Sequence, residues 1–87
     1  MKVLTVTMKD PMGLHARPAG MLVKEAGKYD SRIFLHKGEN TVEATRLLAL
    51  MGLGIRAGEE FTVTVEGSDE EEAFAALSAF FLDHSPV

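Results

Sequence analysis

Apolar and polar residues alternate along two stretches of the chain, residues 2–8 and residues 60–66. This alternation is typical of a strand that buries one face and exposes the other. Two shorter stretches, residues 32–36 and 41–44, are rich in residues that favour strands. Between them, Gly38-Glu39-Asn40 has the length and composition of a hairpin turn. The pattern therefore predicts four strands, two of which form a hairpin.

Apolar residues recur at helical spacing elsewhere in the chain, which predicts three helices. The first runs from Ala16 to about Lys28, and the second, over residues 47–51, is closed by Gly52 or Gly54. Ser68-Asp69-Glu70-Glu71 has the composition of a capping box that opens the third helix, with its acidic residues solvated. The apolar stripes of the first and third helices comprise Ala19, Leu22, Val23 and Ala26, and Ala73, Phe74, Leu77, Phe80 and Phe81.

The predicted order of elements is β-α-β-β-α-β-α, in a single domain over residues 1–87. Short loops and half-buried strands favour an α+β fold in which helices cover one face of a sheet. The first strand–helix–strand unit is expected to cross over right-handedly. This places its two strands parallel, with room for another strand between them.

Composition excludes several classes of function. The chain has no cysteine, so disulfides and thiol catalysis are ruled out. Its net charge of −4 disfavours nucleic-acid binding. No apolar window approaches the roughly 18 residues of a membrane span, so we expect no membrane insertion. Residues 1–7 alternate like a strand and lack the features of a signal peptide, so we expect a cytoplasmic protein.

The charges are unevenly distributed along the chain. Residues 1–46 hold eight Lys or Arg against five Asp or Glu, whereas residues 47–87 hold one against eight. The basic half would attract an acidic partner or a phosphate group.

Within this basic half, the segment Gly13-Leu14-His15-Ala16-Arg17-Pro18-Ala19 combines features of an anion site. His15 lies where the first helix begins, a position that usually carries a capping Ser, Thr, Asp or Asn. The amides of Ala16 and Arg17 should therefore lack an acceptor, and Pro18 has no amide hydrogen to leave unpaired. Helix N-termini of this kind bind phosphate, and the Arg17 guanidinium can hold two phosphate oxygens. The same positive field favours an uncharged, nucleophilic imidazole at His15.

These features leave several interpretations open. A histidine near a helix start is often an ordinary surface or core residue, and Arg17 would then be a solvated charge. A stand-alone enzyme such as a phosphatase would need a general acid and a cleft, and Asp10 is the only carboxylate just upstream of His15. A regulatory binding module would need neither His15 nor Arg17. A phosphohistidine carrier uses both.

The segment from Gly13 to Ala19 closely resembles the phosphorylation motif of HPr, the histidine-containing phosphocarrier of the bacterial phosphoenolpyruvate-dependent phosphotransferase system. The likeness extends over essentially the whole chain and includes the run from Leu50 to Ile55. It implies that phosphorylated Enzyme I phosphorylates His15 on Nδ1, that Arg17 assists, and that an Enzyme IIA domain receives the group. It also implies an open-faced sandwich of four antiparallel strands under three helices. We expect a monomeric carrier with no turnover reaction of its own and no cofactor.

A second surface lies on the predicted short helix, which can bury only one of its sides. Leu50 and Leu53 are the better core candidates by spacing, which leaves Leu47, Leu48 and Met51 as candidates for a contact surface. The pattern alone also allows all of them to be core. The resemblance implies a partner-docking patch beside the active histidine that comprises Gly20, Lys24, Leu47, Leu48 and Met51.

The chain departs from the resemblance at one position. Many HPr proteins carry a regulatory phosphoserine at the start of the short helix, where this chain has Arg46, so regulation of that kind is in doubt here. We expect Arg46 to add a basic contact to the docking patch and Thr45 to cap the helix. His36 and His84 lack the ligand spacing of a metal site, and we expect both to be structural.

Overall fold

A computed structural model describes residues 1–83, in which a four-stranded sheet carries three helices. The α+β class and the order of elements are confirmed. The elements, in chain order, are β1 (Lys2–Thr7), α1 (Ala16–Ala26), β2 (Arg32–Lys37), β3 (Asn40–Glu43), α2 (Leu47–Gly52), β4 (Glu60–Glu66) and α3 (Glu70–Asp83).

The strands lie in the order β1-β4-β2-β3, and every neighbouring pair is antiparallel. Because β4 pairs with both β1 and β2, those two strands run parallel with β4 between them, as predicted. The register places Leu4 opposite Val63 and Val63 opposite Leu35, so that all three side chains share one face.

The helices cover this face and enclose the core with it. The alternating residues of β4, Phe61, Val63 and Val65, are almost completely buried. They pack with the apolar stripes of α1 and α3, within which Leu22 and Leu77 are fully buried. None of the helices within residues 1–83 combines the length and the apolar character that crossing a membrane requires.

The start of α3 differs from the predicted capping box. A capping box with Ser68 as the N-cap would start the helix at Asp69, but the helix begins one residue later, at Glu70. The Glu70 carboxylate accepts a hydrogen bond from the amide of Gly67 at 3.2 Å and forms an ion pair with the N-terminal amine of Met1 at 3.0 Å. The reciprocal bonds of a capping box are therefore replaced by a contact with the turn that precedes the helix.

Asp69, predicted to be solvated, instead joins α3 to the connection between α1 and β2. Its carboxylate accepts hydrogen bonds from the amides of Asp30 and Ser31, both at 2.8 Å, and from the Ser31 hydroxyl. These bonds, with the Ser31 hydroxyl contributing most, lower the pKa of the Asp69 carboxyl. The partners lie 38 and 39 residues away in the sequence, so no local pattern could have indicated them.

None of the elements within residues 1–83 covers the opposite face of the sheet, and His36 lies on it. Its Nδ1 is 2.9 Å from the Thr41 hydroxyl and its Nε2 is 2.8 Å from the Thr64 hydroxyl. Threonine hydroxyls on the two neighbouring strands thus bond to both ring nitrogens, so His36 has a structural role in the sheet. His84 lies outside the described residues.

Candidate functional site

The loop between β1 and α1 is anchored to the body of the protein at Gly13 and Leu14. The amide of Leu14 donates to the carbonyl of Ile55 at 2.9 Å, and the Leu14 side chain is buried. Gly13 has φ +71°, and a Cβ at this position would lie 2.3 Å from the Ile55 carbonyl oxygen. Only glycine fits this close approach, which fixes the loop directly before His15.

His15 is the N-cap residue of α1, as the sequence predicted. Its backbone is extended, with φ −91° and ψ −174°, and its carbonyl accepts from the amide of Ala19 at 3.0 Å. The imidazole does not cap the helix and is 35% exposed. Within residues 1–83, no acceptor faces the amides of Ala16 and Arg17. Two backbone donors at the positive end of a helix therefore stand beside an accessible ring.

A shallow depression surrounds the imidazole and is lined by Asp10, His15, Arg17, Pro18 and Met21. Arg17 is exposed and, within the described part of the chain, forms no ion pair with a carboxylate. Its guanidinium is consequently available to an anion beside His15. Met21 is 41% exposed and also belongs to this surface, although no motif in the sequence indicates it.

Asp10 contacts the catalytic candidate directly. Its Oδ2 is 3.5 Å from His15 Nε2, and its Oδ1 accepts from the amide of Met12 at 2.8 Å. From the sequence alone, Asp10 is a candidate only for the general acid of a stand-alone enzyme. The Asp-Pro-Met-Gly run could have indicated where this carboxylate lies, because an aspartate in such a turn often accepts a hydrogen bond from the backbone amide two residues later.

The predicted docking residues on α2 are exposed. Leu48 is 84% exposed, Leu47 38% and Met51 39%, whereas Leu50 and Leu53 are buried in the core as predicted. A short helix thus presents one apolar side to solvent. Exposed apolar residues grouped in this way are typical of a contact surface.

Helix α1 packs against α2 and carries the other two predicted docking residues, Gly20 and Lys24. Lys24 is exposed. Gly20 is half-buried, and a Cβ added there would have no atom within 4 Å. The backbone of α1 is therefore open to close approach at Gly20.

Arg46 and not Thr45 is the N-cap residue of α2, so the predicted threonine cap is wrong. Arg46 has φ −109° and ψ 101°, and no side chain among residues 1–83 caps α2. Its carbonyl accepts from the amide of Leu50 at 3.0 Å, while its side chain is exposed. A positive charge consequently stands at the start of α2, next to Leu47 and Leu48. Among residues 1–83 there is no group of three His, Cys, Asp or Glu side chains arranged to hold a metal ion.

Comparison with known proteins identifies relatives over nearly the whole chain. A sequence model of the family described as "PTS HPr component phosphorylation site" matches residues 3–83. Phosphocarrier protein HPr of Lysinibacillus sphaericus is 40% identical over 83 residues, which cover 95% of this chain and 94% of that protein. The HPr-like protein Crh of Halalkalibacterium halodurans is 44% identical over 75 residues, or 86% of this chain and 89% of that one.

Solved structures give the same result. HPr-C-His from Thermoanaerobacter tengcongensis superposes with a TM-score of 0.90 at 38% identity, covering 95% of this chain and 93% of that chain. Crh from Bacillus subtilis, described as a swapped dimer, superposes with a TM-score of 0.76 at 34% identity over the full length of both chains. The open-faced sandwich of four antiparallel strands and three helices is therefore the fold of these relatives.

Proposed function

Because this chain belongs to the HPr family of phosphotransferase-system phosphocarriers, we propose that it accepts a phosphoryl group on His15 from phosphorylated Enzyme I and transfers it to Enzyme IIA domains. One observation carries the proposal. A partly exposed imidazole stands at the N-terminus of α1 beside two backbone amides that have no acceptor within residues 1–83. These donors suit the phosphoryl oxygens, and the imidazole supplies the nucleophile.

Each group at the site has a distinct task in this mechanism. The Nε2 atom of His15 faces Asp10, which leaves Nδ1 to attack phosphorus. The amides of Ala16 and Arg17 hold the transferred oxygens, and the Arg17 guanidinium offsets their negative charge. The N–P bond is labile, so the group passes on to the next protein. The chain is thus a covalent carrier without a turnover reaction of its own.

The partner proteins dock, in this proposal, on the exposed face beside His15. The surface comprises Gly20, Lys24, Arg46, Leu47, Leu48 and Met51. The leucines and the methionine supply adaptable apolar contact, which suits a protein that must bind more than one partner in turn. Lys24 and Arg46 steer acidic partner surfaces toward this face.

The carrier is further proposed to be a cytoplasmic monomer that binds no nucleic acid and inserts into no membrane. Among its relatives, an HPr from Thermoanaerobacter tengcongensis has been solved as a dimer, and Crh forms a swapped dimer. Light scattering across a concentration series measures the mass in solution. A constant mass of one chain is expected.

The central experiment incubates the protein with phosphoenolpyruvate and a cognate Enzyme I. One acid-labile phosphate per chain is expected, and none on a His15→Ala variant. His36→Ala is the matched control, because His36 lies on the uncovered sheet face with both ring nitrogens bonded to threonines. It should be labelled like the wild type. A His15→Ala protein that still acquired the label would refute the assignment.

Two further outcomes separate the competing functions. Steady hydrolysis of a small phosphoester by the protein alone would favour a phosphatase. If the protein bound Enzyme IIA domains with the same affinity whatever the phosphorylation state, and His15 took up no label, a regulatory module would be favoured.

A further inference from the structure

We propose that Asp10 is a positioning residue that holds the proton of His15 on Nε2 and stabilises the positive charge that the ring gains when Nδ1 is phosphorylated. This inference rests on the proposed function. It concerns a carboxylate to which the sequence motif around His15 assigns no role.

The geometry singles out Asp10 among the acidic residues. Its Oδ2 lies 3.5 Å from His15 Nε2. Every other carboxylate in an ion pair within residues 1–83 faces a lysine or the N-terminal amine. Asp10 and His15 also line the same depression, together with Arg17. The contact therefore belongs to the site and not to the general surface charge.

The carboxylate is held in place from two sides. Its Oδ1 accepts from the amide of Met12 at 2.8 Å, which leaves Oδ2 to face the imidazole. Pro11 restricts the backbone of Asp10 to extended conformations. A side chain that is fixed before the partner arrives loses little freedom when its contact with the ring shortens.

The present separation of 3.5 Å is longer than a good N–H···O hydrogen bond. Contacts of catalytic groups are commonly long in the free protein and tighten during the reaction. We infer that the contact closes as charge develops on the ring.

The transfer step explains why the charge develops. The Nδ1 lone pair forms a bond to phosphorus while the bond from phosphorus to the donor atom breaks, and that electron pair leaves with the donor. No proton leaves His15 in this step. The ring keeps its Nε2 proton and becomes positive, which the adjacent carboxylate stabilises. On transfer to the next protein, the N–P electron pair returns to Nδ1 and the ring is neutral again.

An Asp10→Asn variant tests this directly because it reverses the polarity of the contact with Nε2 and keeps the hydrogen bond from Met12. The asparagine oxygen still accepts from the amide of Met12, so the turn is preserved. Its NH₂ group replaces Oδ2 and donates toward Nε2, which favours the tautomer with the proton on Nδ1. Asp30→Asn is the matched control, since Asp30 is exposed, lies beyond the far end of α1 and loses the same charge.

Two measurements decide the outcome. In ¹⁵N NMR of the unphosphorylated protein, at a pH where the ring is neutral, Asp10→Asn should lower the ratio of Nε2–H to Nδ1–H tautomer about tenfold, the equivalent of one hydrogen bond. The rate of phosphoryl acceptance from Enzyme I should fall about tenfold as well, because the ring also loses the carboxylate that stabilises its positive charge. Asp30→Asn should change neither quantity.

The inference is overturned if Asp10→Asn leaves the tautomer ratio unchanged, or if the rate is unchanged despite an altered ratio. It is also overturned if Asp30→Asn slows acceptance equally, since the effect would then be one of net charge. Failure of the proposed function looks different, because the wild type itself would take up no phosphate. The tautomer measurement does not depend on that result.

Discussion

Replacement of Gly13 by alanine tests how the fold holds His15 in place. Gly13 has φ +71°, where an L-residue is strained by about 1–2 kcal/mol. The added Cβ would also lie 2.3 Å from the Ile55 carbonyl oxygen, a backbone atom that cannot turn aside. The loop must therefore move, and the hydrogen bond from Leu14 to Ile55 is lost at a further cost of about 1 kcal/mol. We expect the free energy of unfolding to fall by about 3 kcal/mol.

Gly38→Ala is the control for the strained backbone alone. Gly38 has φ +59° in the hairpin turn, and a Cβ there would have nothing within 4 Å. Its replacement should lower the free energy of unfolding by only about 1 kcal/mol. Urea unfolding of the three proteins, followed by circular dichroism, measures both differences. Equal losses in the two variants would show that the close approach to Ile55 does not anchor the loop.

The remaining predictions concern charge, packing, docking and the uncapped helix. Because hydrogen bonds lower the pKa of Asp69 in the folded state, its stabilisation is present above the ordinary aspartate pKa of about 4 and is lost as the pH falls through the folded value. In urea titrations at a series of acidic pH values, the free energy of unfolding of Asp69→Asn should therefore fall less steeply with decreasing pH than that of the wild type. Leu50→Ala should lower the free energy of unfolding by about 3 kcal/mol, because Leu50 is fully buried. Leu48→Ala, at an exposed site, should leave stability nearly unchanged but weaken Enzyme I binding in calorimetry. Arg17→Ala should slow phosphoryl transfer about tenfold with the fold intact. His15→Ser should abolish labelling yet raise the free energy of unfolding by about 1 kcal/mol, because serine caps α1.

Several results would contradict these expectations. If the free energy of unfolding of Asp69→Asn fell with decreasing pH as steeply as that of the wild type, the Asp69 carboxylate would not be among the stabilising contacts. Equal transfer rates for Arg17→Ala would remove the guanidinium from the site. If Leu48→Ala bound Enzyme I as tightly as the wild type, Leu48 on α2 would not be part of the docking surface. A less stable His15→Ser protein would mean that the amides at the start of α1 already have acceptors.

Local patterns were sufficient to predict most of the fold. The alternation in residues 60–66 required a strand with one buried face, and β4 buries Phe61, Val63 and Val65. The spacing around Leu50 separated the buried side of α2 from its exposed side, because a helix repeats every 3.6 residues. The position of His15 at a helix start also followed from the sequence alone, since Gly13 ends the preceding loop and Pro18 suits the first turn of a helix.

Side-chain contacts between distant segments could not be predicted in this way. Ser68-Asp69-Glu70-Glu71 reads locally as a capping box, yet Asp69 is drawn to Ser31 by packing that only the folded sheet creates. Asp10 lies five residues from His15, but its contact depends on the turn at Met12 and on how both side chains rotate. Sequence spacing fixes which face a residue occupies, whereas these contacts depend on the path of the chain between elements.

The site combines an open helix end with a rigid support, and each feature requires the other. An uncapped N-terminus at His15 forgoes about 1 kcal/mol of stability, because the amides of Ala16 and Arg17 find no acceptor among residues 1–83. In the proposed function, those same amides hold the phosphoryl group, and they can do so effectively only if they are already in place when the group arrives. The bond from Leu14 to Ile55 and the glycine that permits it supply this fixed position without occupying the amides. A capped helix would be more stable but closed to phosphate, and an unanchored one would be open but poorly ordered.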